Sequence, residues 1–473
     1  MRIMFAVFPA KAHFLPLVPY AWALQSAGHD VCFAAPPGYP TGVADPEFHE
    51  AVSKTGLKSV VCGEPAPLAV HDRADPGYAA LLPTPEECER YVADLGIGPD
   101  EREPWDVFYH FSMLAIRDYH TAAPRQDVDE VVSFARSWKP DLVLWDLWFP
   151  CGAIAARASG AAHARVLVSP DYTGWATRRF ARRSRSGPGA PENPLERTLR
   201  PLARRHGVEV DEELLLGQWT VNPFPADMSL PTDAVDVPVR YVPYTGASVM
   251  PRWLHEKPGR PRVGLSLGVS ARAFMKGDWG RTAKLLEAVA DLDIEVIATL
   301  NENQLEGAGP VPPNVHTIDY VPLDQLLPTC SALIHHGSTG TFAAASAAGV
   351  PQLVCDTDEP CRLFAQDTPD GIVWDFPCQK QLTATGTARF VTERGGGVRL
   401  DHQKQSVEEI RDRIVKVLED PSFREGAERI REEWLATPSP VDIVPVIEEL
   451  TRRHRGAGRA GAGTGSDTKE TGA

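Results

Sequence analysis

Positive charge is scarce in this chain: 48 Lys and Arg face 63 Asp and Glu across 473 residues, a formal charge of −15. A general nucleic-acid binder needs a basic surface to neutralise phosphates, so that class is excluded. No apolar run approaches the roughly 20 residues that would cross a bilayer, and no membrane partner is expected. The one leader-like stretch, residues 3–10 ending in Ala10-Lys11-Ala12, keeps its apolar periodicity past the supposed cleavage point. A strand followed by a helix explains that stretch, and export is not expected. Paired cysteines are missing too. None of the eight (32, 62, 88, 151, 330, 355, 361 and 378) forms a CxxC or a metal-ligand spacing, so they read as reduced thiols of a cytosolic protein.

What the chain does have is the material for large cores. Hydrophobic residues make up 43% and charged ones 23%, ordinary globular values, and the length suits two or three domains. Its 43 prolines and 38 glycines imply short, punctuated elements. A βαβ rhythm opens the sequence: a buried strand at 3–8, a loop at 9–14, a helix beginning near Pro16 and Pro19, a stop at Gly28, and a strand at 31–35. It returns as a strand at 141–145, a helix at 150–159, a stop at Gly160 and a strand at 164–169. Residues 45–135, with Trp105, Phe108, Tyr109, Phe111 and Tyr119, read as helices and loops inserted over the sheet edge. A helical cover for the core is slightly favoured there over a docking or substrate-lining region. Nine arginines within 177–205 read as a solvated face, with an anionic partner as the alternative.

A second series follows the Pro-rich passage 223–261. Its strands fall at 263–267, 295–300, 331–335 and 352–355, and its helices at 282–291, 323–327, 341–348 and 407–419. The expected organisation is an α/β protein of two doubly wound, Rossmann-like halves facing a cleft. Residues 1–235 form the first half, 236–260 a linker and 261–422 the second half. Residues 423–452 are closing helices and 453–473 a disordered tail.

Ligands of open α/β sheets bind beyond the carboxyl ends of the strands, and three loops there carry polar groups. His13 follows the first strand, where near-neutral titration suits a general base. Asp146 ends the strand at 141–145 on the same edge. It reads as a helix cap, as the partner that orients an imidazole, or as both. His335-His336-Gly337-Ser338-Thr339-Gly340-Thr341 joins a strand to a helix, an arrangement that suits a phosphate or diphosphate. It is neither a Walker loop nor GxGxxG, so ATP and NAD are poor candidates.

Taken together, these residues resemble a known family. Phe8-Pro9 with His13, Leu17-Val18-Pro19-Tyr20-Ala21-Trp22-Ala23-Leu24 and Ala27-Gly28-His29 resemble the opening of actinobacterial family 1 glycosyltransferases that decorate polyketide antibiotics. The similarity continues at Trp138-Lys139-Pro140-Asp141, Ser169-Pro170-Asp171, Gly217-Gln218-Trp219-Thr220, Trp253-Leu254-His255 and Leu267-Gly268-Val269-Ser270. It resumes at Ile297-Ala298-Thr299-Leu300, Val321-Pro322-Leu323 and His335-His336-Gly337, so that it covers nearly the whole chain except the tail.

The resemblance implies a GT-B fold with an N-terminal acceptor domain, a C-terminal nucleotide-sugar domain and a last helix crossing back to the first. It implies transfer of a deoxysugar from a TDP-sugar to a hydroxyl of a macrolide or aromatic polyketide aglycone, with inversion and with neither metal nor cofactor. His13 matches the family's base and Asp146 its acidic partner. His336 matches the diphosphate contact, with Gly337, Ser338, Thr339, Gly340 and Thr341 beside it, while Ser270 and Val321 fall in nucleotide-holding segments. Trp374 and Asp375 match the family's Trp-Asp pair for the donor sugar. Gln379 and Gln381, or Asp356 and Asp358, are alternatives for that role. Two departures stand out: Ser338 replaces the usual second glycine, and the stretch after Pro351 is long. A hydrophobic aglycone, a cytochrome-like activator docking on the insertion and a homodimer are the partners expected from the resemblance. A nucleotide-sugar epimerase of the same fold and an inactive homologue acting as a binding partner are the rival classes.

Overall fold

The computed structural model describes residues 1–37, 46–64, 84–113, 116, 126–246, 248–269, 280–362, 364–368, 371–375 and 380–462. The first half builds seven strands: β1 (Arg2–Ala6), β2 (Asp30–Ala35), β3 (Lys58–Val61), β4 (Leu142–Asp146), β5 (Ala162–Val166), β6 (Trp219–Asn222) and β7 (Asp236–Pro238). They pair in parallel in the order β3-β2-β1-β4-β5-β6-β7. The second half repeats the scheme with β8 (Arg262–Ser266), β9 (Glu295–Thr299), β10 (Val315–Thr317), β11 (Ala332–His335), β12 (Gln352–Asp356) and β15 (Gly397–Asp401). Their order is β10-β9-β8-β11-β12-β15. A separate antiparallel ribbon joins β13 (Phe364–Thr368) to β14 (Gly371–Asp375).

In each sheet the chain reverses its direction of winding once, between β1 and β4 and between β8 and β11. Connections there leave to opposite sides and open a crevice at the carboxyl edge. The central strands are buried on both faces, as continuous apolar runs require: Ile3, Met4, Phe5 and Ala6 are fully covered, as are Val143 and Ile334. Each of these side chains except that of Ala6 contributes roughly 1.5–3 kcal/mol of burial.

Four expectations are corrected. The loop at 9–14 contains the helical turn Lys11–Phe14, so His13 sits on a helix rather than in a loop. The insertion 45–135 is not all helix and loop, because β3 extends the sheet edge through Lys58–Val61. The linker begins later than 236, since β7 pairs with β6 through Asp236 and Pro238. The tail expected from 453 is helical to Ala462. That helix, Val444–Ala462, returns to the first half. Ile443, Val444 and Ile447 join its core, Arg455 pairs with Asp141, and the His454 ring lies against Trp219. Docking of that face, rather than composition, carries the helix past residue 453. No helix among the described residues is long and apolar enough to cross a membrane.

Candidate active site

His13 and Asp146 flank the first switch point. Pro16 and Pro19 occupy the first turns of the 3₁₀ segment Leu15–Leu17 and the helix Val18–Ser26, where their missing N–H costs nothing. The chain is thus turned sharply after β1, and His13 is brought against the end of β4. Asp146, fully buried, accepts from His13 Nδ1 at 2.6 Å and from the Phe8 N–H at 3.2 Å through Oδ2. Its Oδ1 accepts from the Trp148 N–H at 2.9 Å. Every partner is a donor, so the carboxylate assigns the imidazole proton to Nδ1 and leaves a lone pair on Nε2. Phe8 and Trp148 hold the ring from two sides, with centroids at 5.4 and 5.1 Å. The helix-cap reading fails: the cap position before Cys151–Ser159 is Pro150, with no side-chain cap.

His336 follows β11 at the second switch point, ahead of the helix Thr339–Ala348. Gly337 has φ +80°, and a Cβ there would lie 2.7 Å from Ala384 Cα, so only glycine fits. Ser338, at φ −72°, needs no such freedom, which explains how it replaces a glycine; its hydroxyl pairs with that of Thr341 at 3.1 Å. The first-turn N–H groups of Thr339, Gly340 and Thr341 lack intrahelical acceptors and point toward the strand ends, a setting that favours anions. His336 is buried, and its Nδ1 donates to the Ser266 carbonyl at 3.3 Å. Burial, Arg281 and His335 hold its pKa well below the usual histidine range. Burial likewise lowers His335 to about 4 and Arg281 to about 10.

Several residues that matter here escaped the sequence reading. Thr383 and Thr387 both donate to the Gly337 carbonyl, at 2.7 and 3.1 Å, and so fix the loop. No local pattern in the sequence announced them. Nor did any announce Arg281, one residue into the helix Gly280–Val289. Tyr241 of the linker lies 3.4 Å from where a Gly340 Cβ would be; burial, and after it Tyr241, raises the pKa of Tyr20 on the helix after His13. Tyr172 donates to the Leu382 carbonyl at 2.9 Å, and Lys380 meets Glu103 at 3.3 Å. The two halves therefore touch through the linker, through the helix after β5 and through the insertion.

The other sugar and nucleotide candidates divide. Ser270 and Gln379 lie outside the described residues. Val321 buries its side chain with Leu254, Ile297 and Leu326, so only its main chain is left for a ligand. Trp374 and Asp375 end β14. Asp356 is committed to Arg399 at 2.8 Å and Thr385 at 3.1 Å, and Asp358 pairs with Arg399 and Lys404. Trp105, Phe108 and Tyr109 are buried in the first core, which favours the helical-cover reading of the insertion. Arginines of the basic run pair with acids, among them Arg200 with Glu192 and Glu196 and Arg205 with Asp129, which favours the solvated face. Asp171 is clamped by the buried Arg165 at 2.8 and 2.6 Å and caps the helix Tyr172–Arg185, so the Ser-Pro-Asp motif is architectural. Among the described residues Cys88, Asp106 and His110 bring ligand atoms within 4.8 Å of one another. Arg102 already donates to Asp106 at 2.9 Å, and its guanidinium supplies the positive charge there.

Comparison with known proteins matches this geometry. The model of the erythromycin biosynthesis protein CIII-like N-terminal domain matches residues 22–268, and that of the C-terminal domain matches 283–372 and 377–450. The chain is 40% identical to the aclacinomycin-T 2-deoxy-L-fucose transferase of Streptomyces galilaeus, over 96% of this chain and 97% of that protein. It is 38% identical to the 10-deoxymethynolide desosaminyltransferase of Streptomyces venezuelae, over 96% and 98%. Among solved structures, spinosyn forosaminyltransferase SpnP superposes with a TM-score of 0.72 at 33% identity, covering 96% of this chain and 99% of that one. Glycosyltransferase VinC in complex with dTDP gives 0.72 at 30%, covering 96% and 100%. Two parallel sheets, each with a histidine beyond its switch point, together with family models spanning both halves, make this chain a GT-B glycosyltransferase of the erythromycin biosynthesis protein CIII-like family.

Proposed function

We propose that the protein moves a deoxysugar from a TDP-sugar to a hydroxyl of a hydrophobic polyketide aglycone, with inversion at the anomeric carbon and no metal. The observation that carries this reading is the buried 2.6 Å contact between His13 Nδ1 and Asp146, which leaves Nε2 as a base. The acceptor hydroxyl gives its proton to Nε2 as its oxygen attacks the anomeric carbon. The bond to the diphosphate breaks as the new glycosidic bond forms, through an oxocarbenium-like transition state. Asp146 stabilises the imidazolium that results. TDP leaves toward His336 and the N–H groups at 339–341, a fixed electrostatic site. Relatives named for transfer of 2-deoxy-L-fucose and desosamine, and a related structure holding dTDP, support the donor class.

The same reading places the enzyme in the cytosol, with a cytochrome-like helper on the insertion and a second copy as partners. A mass-spectrometric screen of polyketide aglycones against TDP-deoxysugars, run with and without helpers, tests it. A glycoside formed by the wild type and lost in His13→Ala is expected. Epimerised sugar from donor alone would replace the reading with an epimerase. TDP binding without product under every condition would leave a binding protein.

A further inference from the structure

The proposed donor site asks His336 to meet a diphosphate, and the ring as held cannot do so in its neutral form. The Ser266 carbonyl only accepts hydrogen bonds, so the 3.3 Å contact commits the proton to Nδ1. A neutral imidazole has one N–H, which leaves Nε2 a bare lone pair. The backbone of Gly268 packs against the far edge of the ring. Gly268, at φ +83°, lies so close that a Cβ there would sit 2.4 Å from Nε2 and 2.6 Å from Cε1. Phosphate oxygens are acceptors, and an acceptor facing a lone pair is repelled.

Resting on the donor reading above, we infer that His336 is neutral in the empty protein and takes up one proton as the donor's diphosphate binds. The imidazolium so formed donates through Nε2 to the leaving group, while Nδ1 keeps its hold on Ser266. Among the described residues, the charged and titratable neighbours oppose that proton until the ligand arrives. Burial disfavours the charged ring first, and Arg281 repels the proton from the helix beyond β8. His335 is itself neutral, with Nδ1 accepting from the Gly337 N–H at 3.2 Å. On β12 Cys355 is a buried thiol, and the Asp356 carboxylate is held by Arg399. Thr383 and Thr387, across the loop, are uncharged. The diphosphate brings the negative charge that the protein leaves out. Donor recognition and acid strength are thereby linked in one ring.

Calorimetric titration of the full-length protein with TDP-glucose, in buffers of different ionisation enthalpy at pH 7, reads the proton directly. The diphosphate of a sugar ester has no group titrating near neutrality, so the proton counted belongs to the protein. The expected result is uptake of about one proton, with affinity falling roughly tenfold per pH unit between the pKa of the free state and that of the bound state. His336→Gln, which donates without titrating, should bind more weakly at pH 6.5, with no proton uptake and no pH dependence. Tight wild-type binding with zero uptake overturns the inference by itself, whatever the variant does. Uptake that persists in His336→Gln overturns it too. An absence of any TDP-glucose binding overturns the donor reading and this inference with it.

Discussion

The two halves of the molecule repeat one strand order, and each sets a histidine beyond its switch point, yet the two rings live in opposite surroundings. His13 has a carboxylate behind it, at 2.6 Å, and aromatic walls beside it. His336 has a main-chain carbonyl behind it and a buried guanidinium among its neighbours. A carboxylate partner stabilises an imidazole that has gained a proton, which is what a base requires. Burial and an arginine resist that gain and make it depend on an incoming anion. Repeating a strand order thus supplies two equivalent crevices, and in the proposed mechanism their electrostatics divide the reaction into proton removal on one side and leaving-group capture on the other.

The sharpest way to break the comparison is to remove each ring in turn. His13→Ala should lower kcat by about 10²–10⁴-fold, roughly 3–5 kcal/mol of barrier, with donor affinity unchanged. His336→Ala should instead raise the donor KM. Steady-state kinetics with both substrates varied separates the two, and a kcat-only loss in both would erase the distinction. Acid stability sharpens the second half of the contrast. Unfolded histidine titrates near 6.5, whereas His335 resists protonation down to about 4, so the unfolded state binds more protons between those values. Stability should therefore fall as pH drops through that window, by roughly 3 kcal/mol from this group alone. Urea midpoints at pH 7.5 and 4.5 measure it, and equal midpoints would contradict the buried neutral ring.

Asp146→Asn keeps the shape but offers an amide to three donors. A loss of about 10–10³-fold in kcat is expected, together with roughly 1.5–3 kcal/mol of stability from the disturbed hydrogen bonds. Thermal melts and kcat per folded molecule tell these apart. Gly268→Ala pushes a methyl into His336 and strains a left-handed backbone, so the donor KM should rise several-fold with about 1–2 kcal/mol lost. An unchanged donor KM would show that the ring does not face the donor. Glu103→Gln breaks only the interdomain pair with Lys380. Glu103 is 41% exposed, so less than 1 kcal/mol and under threefold in donor KM should follow.

The site that strand logic could reach was legible in advance. Apolar runs located β1, β4, β8 and β11, and strand ends on one edge bring His13 to Asp146 across 133 residues. Mixed or polar edge strands were not legible: β3 (Lys58–Val61) and β15 (Gly397–Asp401) carry Lys58 and Arg399 where a buried strand would be apolar. The anchoring of Gly337 by Thr383 and Thr387, 46 and 50 residues away, has no local pattern, because it exists only once the helix Ala384–Glu393 has packed. The return of the last helix was legible, but its Gly/Ala/Arg composition hid its extent past 453, where His454 meets Trp219 and Arg455 pairs with Asp141.

The central claim is a single displacement by an acceptor oxygen that His13 deprotonates. Its most direct measurement is the anomeric configuration of the glycoside made in one turnover, read by NMR coupling constants against that of the TDP-sugar. Inversion, with one TDP released per glycoside formed, is the predicted result. Retention of configuration, or TDP released without glycoside, would contradict it.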